Sequence, residues 1–167
     1  MGDYRDDRQW SDRFIPSIKH IVGPYLLEPA SMELDSKEAT DLIVFKARDV
    51  RIAARMRSAD YADRYPYDFT IRSSRDSGTE TELSKIISGW GDWLFYGFDG
   101  GSWTAAPWWI LDLNIFRHSL NFHLANIKKI RFQIKANGDG TNLAAYDILS
   151  FPPQLVIASS RQKANAA

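Results

Sequence analysis

The stretch Arg51-Ile52-Ala53-Ala54-Arg55-Met56-Arg57 places three guanidinium groups on one side of an extended chain. Successive side chains of a strand point to opposite faces. Val50, Ile52, Ala54 and Met56 therefore form an apolar row, and Arg51, Ala53, Arg55 and Arg57 a basic one. Arginine stays charged near neutral pH and presents a planar fork of N–H donors that matches a phosphate. Three arginines without a lysine suit recognition of a phosphate backbone. Arg72, on the polar face of the next expected strand, extends the row. The alternative is a solvated strand face whose arginines pair with Asp49, Asp60 or Asp63.

The elements that must position this row follow from periodicity. Phe14, Ile18, Ile21, Val22, Tyr25 and Leu26 recur at helical spacing and predict a helix over 12–26, with Pro16 in its first turn. Residues 28–39 read as a loop. The apolar run 40–47 reads as a strand that turns through Arg48 and Asp49 into 50–57, giving a hairpin. A loop over 58–67, punctuated by Pro66, leads to a third strand at 68–74. Leu83, Ile86 and Ile87 then switch to helical spacing. Thr79 and Glu82 have the capping-box separation and Gly89 is a stop, which predicts a helix over 79–89. An aromatic strand follows at 92–98, then a strand from Trp108 running into a helix that includes 114–124. Ile130, Phe132 and Ile134 alternate, and Asn137 to Gly140 is a hairpin signal. Strands at 144–149 and 155–158 complete the chain, and the tail 159–167 is expected to be loose. The expected class is α/β (α+β), one domain over 1–167 with its core at about 12–135: a central mixed sheet flanked by helices.

The order helix, three strands, helix, strand resembles the αβββαβ core of the PD-(D/E)xK, or restriction-endonuclease-like, superfamily. The likeness covers roughly residues 12–98, with Asp41 leading one strand and 51–55 in the place of the acid-x-lysine motif. It implies carboxylates that hold Mg²⁺ against a scissile phosphate and a metal-bound water as nucleophile. Here the motif's acid and lysine fall on Ala53 and Arg55. Alanine coordinates nothing, and arginine cannot lose a proton near neutral pH. The resemblance leaves Asp41 as one metal ligand and allows a migrated acid at Glu82 or Glu80 as the second, with Arg55 beside them as the third member of the catalytic set. Without it, Asp41 is a strand-leading turn residue and Glu82 a helix cap. The chain is also similar to uncharacterised proteins of tailed bacteriophages and prophages, which implies the cytoplasm of a bacterial host cell.

Composition narrows the classes further. With 21 basic and 21 acidic residues the chain is formally neutral, unlike a simple nucleic-acid coat. The charge is unevenly spread: residues 1–41 hold nine acids and five bases, and residues 46–75 hold eight bases and four acids. No cysteine is present, so disulfides and thiolate chemistry are excluded. The opening residues lack a signal peptide's apolar core and the serine or threonine of a myristoylation pattern, and no apolar run would span a membrane. No P-loop, Rossmann glycines or nucleophile elbow occurs. His20, His118 and His123 lack the spacing of a ligand set and read as structural. Trp108 and Trp109, adjacent on a strand, point opposite ways, so one of them is expected to be exposed and to mark a protein contact. Three readings follow. The first is a nucleic-acid-binding protein, expected to take DNA through Arg51, Arg55, Arg57 and Arg72, with a degenerate site. The second is a Mg²⁺-dependent nuclease using Asp41, Arg55 and Glu82. The third is an accessory protein that binds another protein through its tryptophan-rich half.

Overall fold

A computed structural model describes residues 4–29, 42–44 and 49–161. Its organising element is β5 (Trp93–Asp99), whose residues Trp93 to Phe98 are all buried. A strand apolar on both faces must be covered on both faces, and it is. β5 lies inside a four-stranded sheet ordered β3 (Ile52–Arg57), β5, β6 (Ala105–Asp112), β9 (Val156–Ser159). β3 runs parallel to β5, whereas β5–β6 and β6–β9 are antiparallel. On one face Phe95 and Ile110 pack with Met56 under α2 (Ile15–Val22), which contributes Ile18 and Val22, and under Phe14 just before it. Trp10, from α1 (Tyr4–Asp12), joins that cluster. A Cβ on Gly97 would stand 3.0 Å from Met56 Sδ, so glycine there lets β3 and β5 share this layer.

On the other face Leu94, Tyr96, Phe98, Trp109 and Leu111 meet a second sheet and a helix. The second sheet is antiparallel, ordered β4 (Asp68–Arg75), β8 (Thr141–Asp147), β7 (Phe132–Ala136). It supplies Phe69, Ile71, Ala144 and Tyr146, and α5 (Leu113–Leu124) supplies Leu113 and Phe116. Burying each such large side chain contributes roughly 1.5–3 kcal/mol, which makes this aromatic-rich layer the main source of stability. Among the described residues no helix is long and apolar enough to cross a membrane.

The mixed α+β class and the central mixed sheet flanked by helices agree with expectation; the strand partners do not. Among the described residues the expected hairpin of 40–47 with 50–57 does not form: β2 (Leu42–Val44) pairs with β1 (Leu27–Pro29). The three strands expected side by side in the αβββαβ core thus fall in three separate sheets. The cause lies at Asp92, whose carboxylate accepts the Arg51 N–H at 2.9 Å while Arg51 C=O accepts the Asp92 N–H at 2.8 Å. That exchange starts β3 alongside β5. β4 meanwhile turns Phe69 and Ile71 across the sandwich rather than joining β3 edge to edge. The expected helix over 12–26 is shorter: α1 ends at Asp12, α2 begins at Ile15 with Pro16 in its first turn, and a 3-10 turn at Gly23–Leu26 follows. The expected loop over 58–67 contains α3 (Asp60–Arg64). Of the tail, Ser159 ends β9 and Arg161 donates to Ala62 C=O at 2.7 Å; residues 162–167 lie outside the described residues.

The capping box also moves. α4 (Glu82–Ile87) is capped by Thr81, whose hydroxyl accepts from Ser84 N–H at 3.3 Å while Ser84 Oγ accepts the Thr81 N–H at 2.9 Å. Thr79 instead exchanges a hydroxyl contact with Ser77. Thr81→Ala is therefore expected to cost about 1 kcal/mol, read as a lower urea midpoint at unchanged slope. Thr79→Ala should stay within about 0.5 kcal/mol of the parent.

Candidate nucleic-acid interface

The four arginines of the predicted row meet different fates. Arg51 is half-exposed and bonded: its Nε reaches Asp92 at 3.4 Å, its Nη2 donates to Gly89 C=O at 3.2 Å, and its guanidinium lies 5.6 Å from the Trp90 ring. Arg55 is mostly buried, its side chain 17% exposed, and its Nη1 donates to Glu82 Oε2 at 2.8 Å. Arg57 has no carboxylate partner among the described residues and lies 4.3 Å over the Tyr61 ring. Arg72 gives its backbone N–H to Glu82 Oε2 at 3.2 Å, and its guanidinium likewise meets no described carboxylate. The Nε atoms of Arg55 and Arg72 are buried without a hydrogen-bond partner. None of the pairings expected for a solvated face, with Asp49, Asp60 or Asp63, forms in this row.

Arg55 and Glu82 thus converge, as a ligand shared between them requires, but they are joined to each other. Glu82 opens α4 and turns its carboxylate toward β3 and β4 instead of capping the helix. Asp41 lies outside the described residues. A Mg²⁺ site does not fit the residues described. Glu82 Oε2 is held between two N–H donors, one of them cationic, and no group of three His, Asp or Glu side chains able to hold a metal forms among the described residues. His123 accepts the Ile130 N–H at its Nδ1 (3.0 Å), a structural role.

The open edge of β3 forms the floor of a groove of about 680 Å³. Residues 54–58 line it along the strand, α1 forms one wall with Asp7, Arg8, Ser11 and Asp12, and Tyr61, Arg72 and Asn137 form the other. Arg8 pairs with Asp12 on the exposed face of α1 at 3.7 Å. The unpaired cations in the groove are therefore Arg57 and Arg72. Beside it, and sharing Arg57, Tyr61 and Asn137, opens a smaller pocket of about 200 Å³ between α3, β4, β5 and β7. Tyr61 and Tyr65 stack across one turn of α3, with centroids 6.1 Å apart, and Lys135 Nζ sits 4.0 Å over Tyr65. Thr70 Oγ1 and the Tyr96 hydroxyl are 3.2 Å apart in its wall. Burial raises the Tyr96 pKa, so the phenol stays neutral. Burial first, then Asp147, raises the pKa of Asp68, and Lys135 opposes both.

Sequence reasoning missed Tyr61, Tyr65, Asp68, Tyr96 and Lys135. The i,i+4 spacing of the two tyrosines was a usable signal once 58–67 is allowed a helix; the convergence of β7 on α3 was not visible locally. The expected exposure of Trp108 or Trp109 is corrected. Trp109 is buried in the core, and Trp108 is half-buried, stacked on Phe95 with centroids 6.2 Å apart. They do point opposite ways, but each side of this sheet is covered. The exposed tryptophans are Trp90 and Trp103.

Two outcomes are expected from this geometry. Arg55→Ala should destabilise the domain by about 2 kcal/mol, since it strands a mostly buried carboxylate. Adding Glu82→Gln should recover part of that loss in a double-mutant cycle. For Asp68 the folded pKa lies above the unfolded one, so the folded chain holds that proton more tightly and stability falls as pH rises through the folded value. Asp68→Asn should therefore melt higher than the parent at neutral pH. The difference should vanish below about pH 4, where Asp is protonated in both states.

No family model, curated protein or solved structure matches the chain, and the chemistry of the groove stands on its own residues.

Proposed function

We propose that the groove along β3 binds the sugar–phosphate backbone of a nucleic acid and does not hydrolyse it. The observation that supports this most directly is that Arg57 and Arg72 both line the groove with guanidinium groups that no described carboxylate neutralises. A guanidinium with no carboxylate beside it is a strong donor set without an acceptor. Phosphate oxygens supply one. The absence of an acid at Ala53 and the commitment of Glu82 to Arg55 agree with holding rather than cutting. On this reading Arg57 and Arg72 contact phosphates, Arg8 stays with Asp12 at the rim, and Arg51 and Arg55 shape the groove from behind their ion pairs.

Affinity for a labelled oligonucleotide should fall with salt, because each neutralised phosphate releases counterions. Two contacts to a single strand give a log–log slope of about −1.4, and Arg57→Ala or Arg72→Ala should each flatten it by about 0.7. Arg57→Lys should lose affinity to an intermediate degree, keeping charge but not the planar fork. Supercoiled plasmid incubated with Mg²⁺ or Mn²⁺ should remain uncut. Nicking would establish the nuclease reading instead, and failure to bind any oligonucleotide would remove both.

A further inference from the structure

Resting on that reading, we infer that the small pocket beside the groove receives one unstacked nucleobase, and that it favours bases bearing an exocyclic amine, so the ligand is a single strand. Three observations converge. First, the two cavities share Arg57, Tyr61 and Asn137, so a backbone lying in the groove has the pocket directly at its side. Second, the sizes differ in the needed sense. The pocket encloses about 200 Å³. That accommodates a flat ring system and excludes a base pair, whereas the groove of about 680 Å³ is open along a strand edge.

Third, the lining is that of a base site. Phe98, Leu143 and Ala145 supply apolar walls, and Thr70, Tyr96 and Asp68 supply polar groups. The Thr70 and Tyr96 hydroxyls bond to each other, each keeping further capacity. The Asp68 carboxylate is half-buried, and among the described residues no N–H or O–H donates to it. An ionised carboxylate only accepts, so the matching ligand edge must present N–H groups. Cytosine N4 and adenine N6 do so, as does the N1–N2 edge of guanine. Thymine and uracil offer flanking carbonyls around a single imide N–H, and those carbonyls would face the carboxylate. Lys135, over Tyr65, and Arg64, paired with Asp60, stand at the rim, where the phosphates flanking an extruded base pass. A duplex would have to unstack a base to use the pocket, at a cost of a few kcal/mol; a single strand does not.

The test is fluorescence anisotropy with labelled twelve-residue homopolymers of dC, dA and dT at one salt concentration. The expected result is that dC and dA bind about tenfold more tightly than dT. Asp68→Asn should bring that ratio close to one, because an amide can donate to the carbonyls that a carboxylate repels. Equal binding of the three homopolymers by the parent protein overturns the base pocket while leaving backbone binding intact. So does a ratio that survives Asp68→Asn. Binding of none of them overturns the backbone reading and this inference together.

Discussion

Glu82 stands at the start of α4 with its carboxylate between two edge strands of different sheets. β3 gives it a charged N–H from Arg55 at 2.8 Å, and β4 gives it the Arg72 backbone N–H at 3.2 Å. Both layers of the sandwich are exposed at this edge, and no described ladder joins them there. One half-buried carboxylate thus ties two sheets and a helix together. The side chains of Arg55 and Glu82 are only 17% and 29% exposed, so their attraction is weakly screened, and losing either partner leaves a costly charge behind. The same contact settles how the basic row is divided. Arg55, drawn inward, becomes part of the frame, and Arg57, one pleat further along β3, is left at the mouth.

That division explains why an edge strand can be built this way. An unpaired strand edge invites pairing with another chain, and proteins blunt it with charge and with covering elements. In a parallel pair alternate residues direct both N–H and C=O to one side. Arg51 C=O accepts from Asp92 and Trp93, which turns the backbone of 51, 53, 55 and 57 toward β5 and that of 52, 54 and 56 outward. The outward backbone lies in the groove beside arginine side chains and under α1. The features that discourage another strand are those that suit a polyanion.

Much of the architecture was legible locally. β5, β6 and α5 read directly from an aromatic run, a second apolar run and a helical period, and the turn at 137–140 from its glycines. Those segments are decided by their own side chains. What was not legible is which strand pairs with which. The 50–57 segment has an apolar row and a basic row that fit a hairpin as well as a parallel partner; Asp92, 41 residues beyond Arg51, decides between them. Thr79 and Glu82 satisfy the capping spacing as well as Thr81 and Ser84 do. The second pair wins because Glu82 is needed elsewhere and Thr81 is buried against β4, its hydroxyl donating to Ser73 C=O at 3.4 Å. Alternation identified Arg57 and Arg72 as polar-face residues, but their freedom from partners depends on where every acid in the fold has gone.

A formally neutral chain can still present a site for an anion, because ion pairs remove charges from the field without changing the sum. Asp92, Glu82, Asp60, Asp147 and Asp12 each answer one arginine, and those arginines contribute little beyond their partners. The cations outside these pairs are then what a ligand meets, and in the groove they are Arg57 and Arg72. Their being arginine matters for a geometric reason. Arg57 holds its guanidinium carbon 4.3 Å over the Tyr61 ring, and no carboxylate among the described residues takes its N–H groups. On the proposed reading a lysine there would have to choose between the ring and a phosphate, whereas a guanidinium has donors enough for a phosphate while it lies over the ring; the tyrosine beneath it is shared with the adjoining pocket.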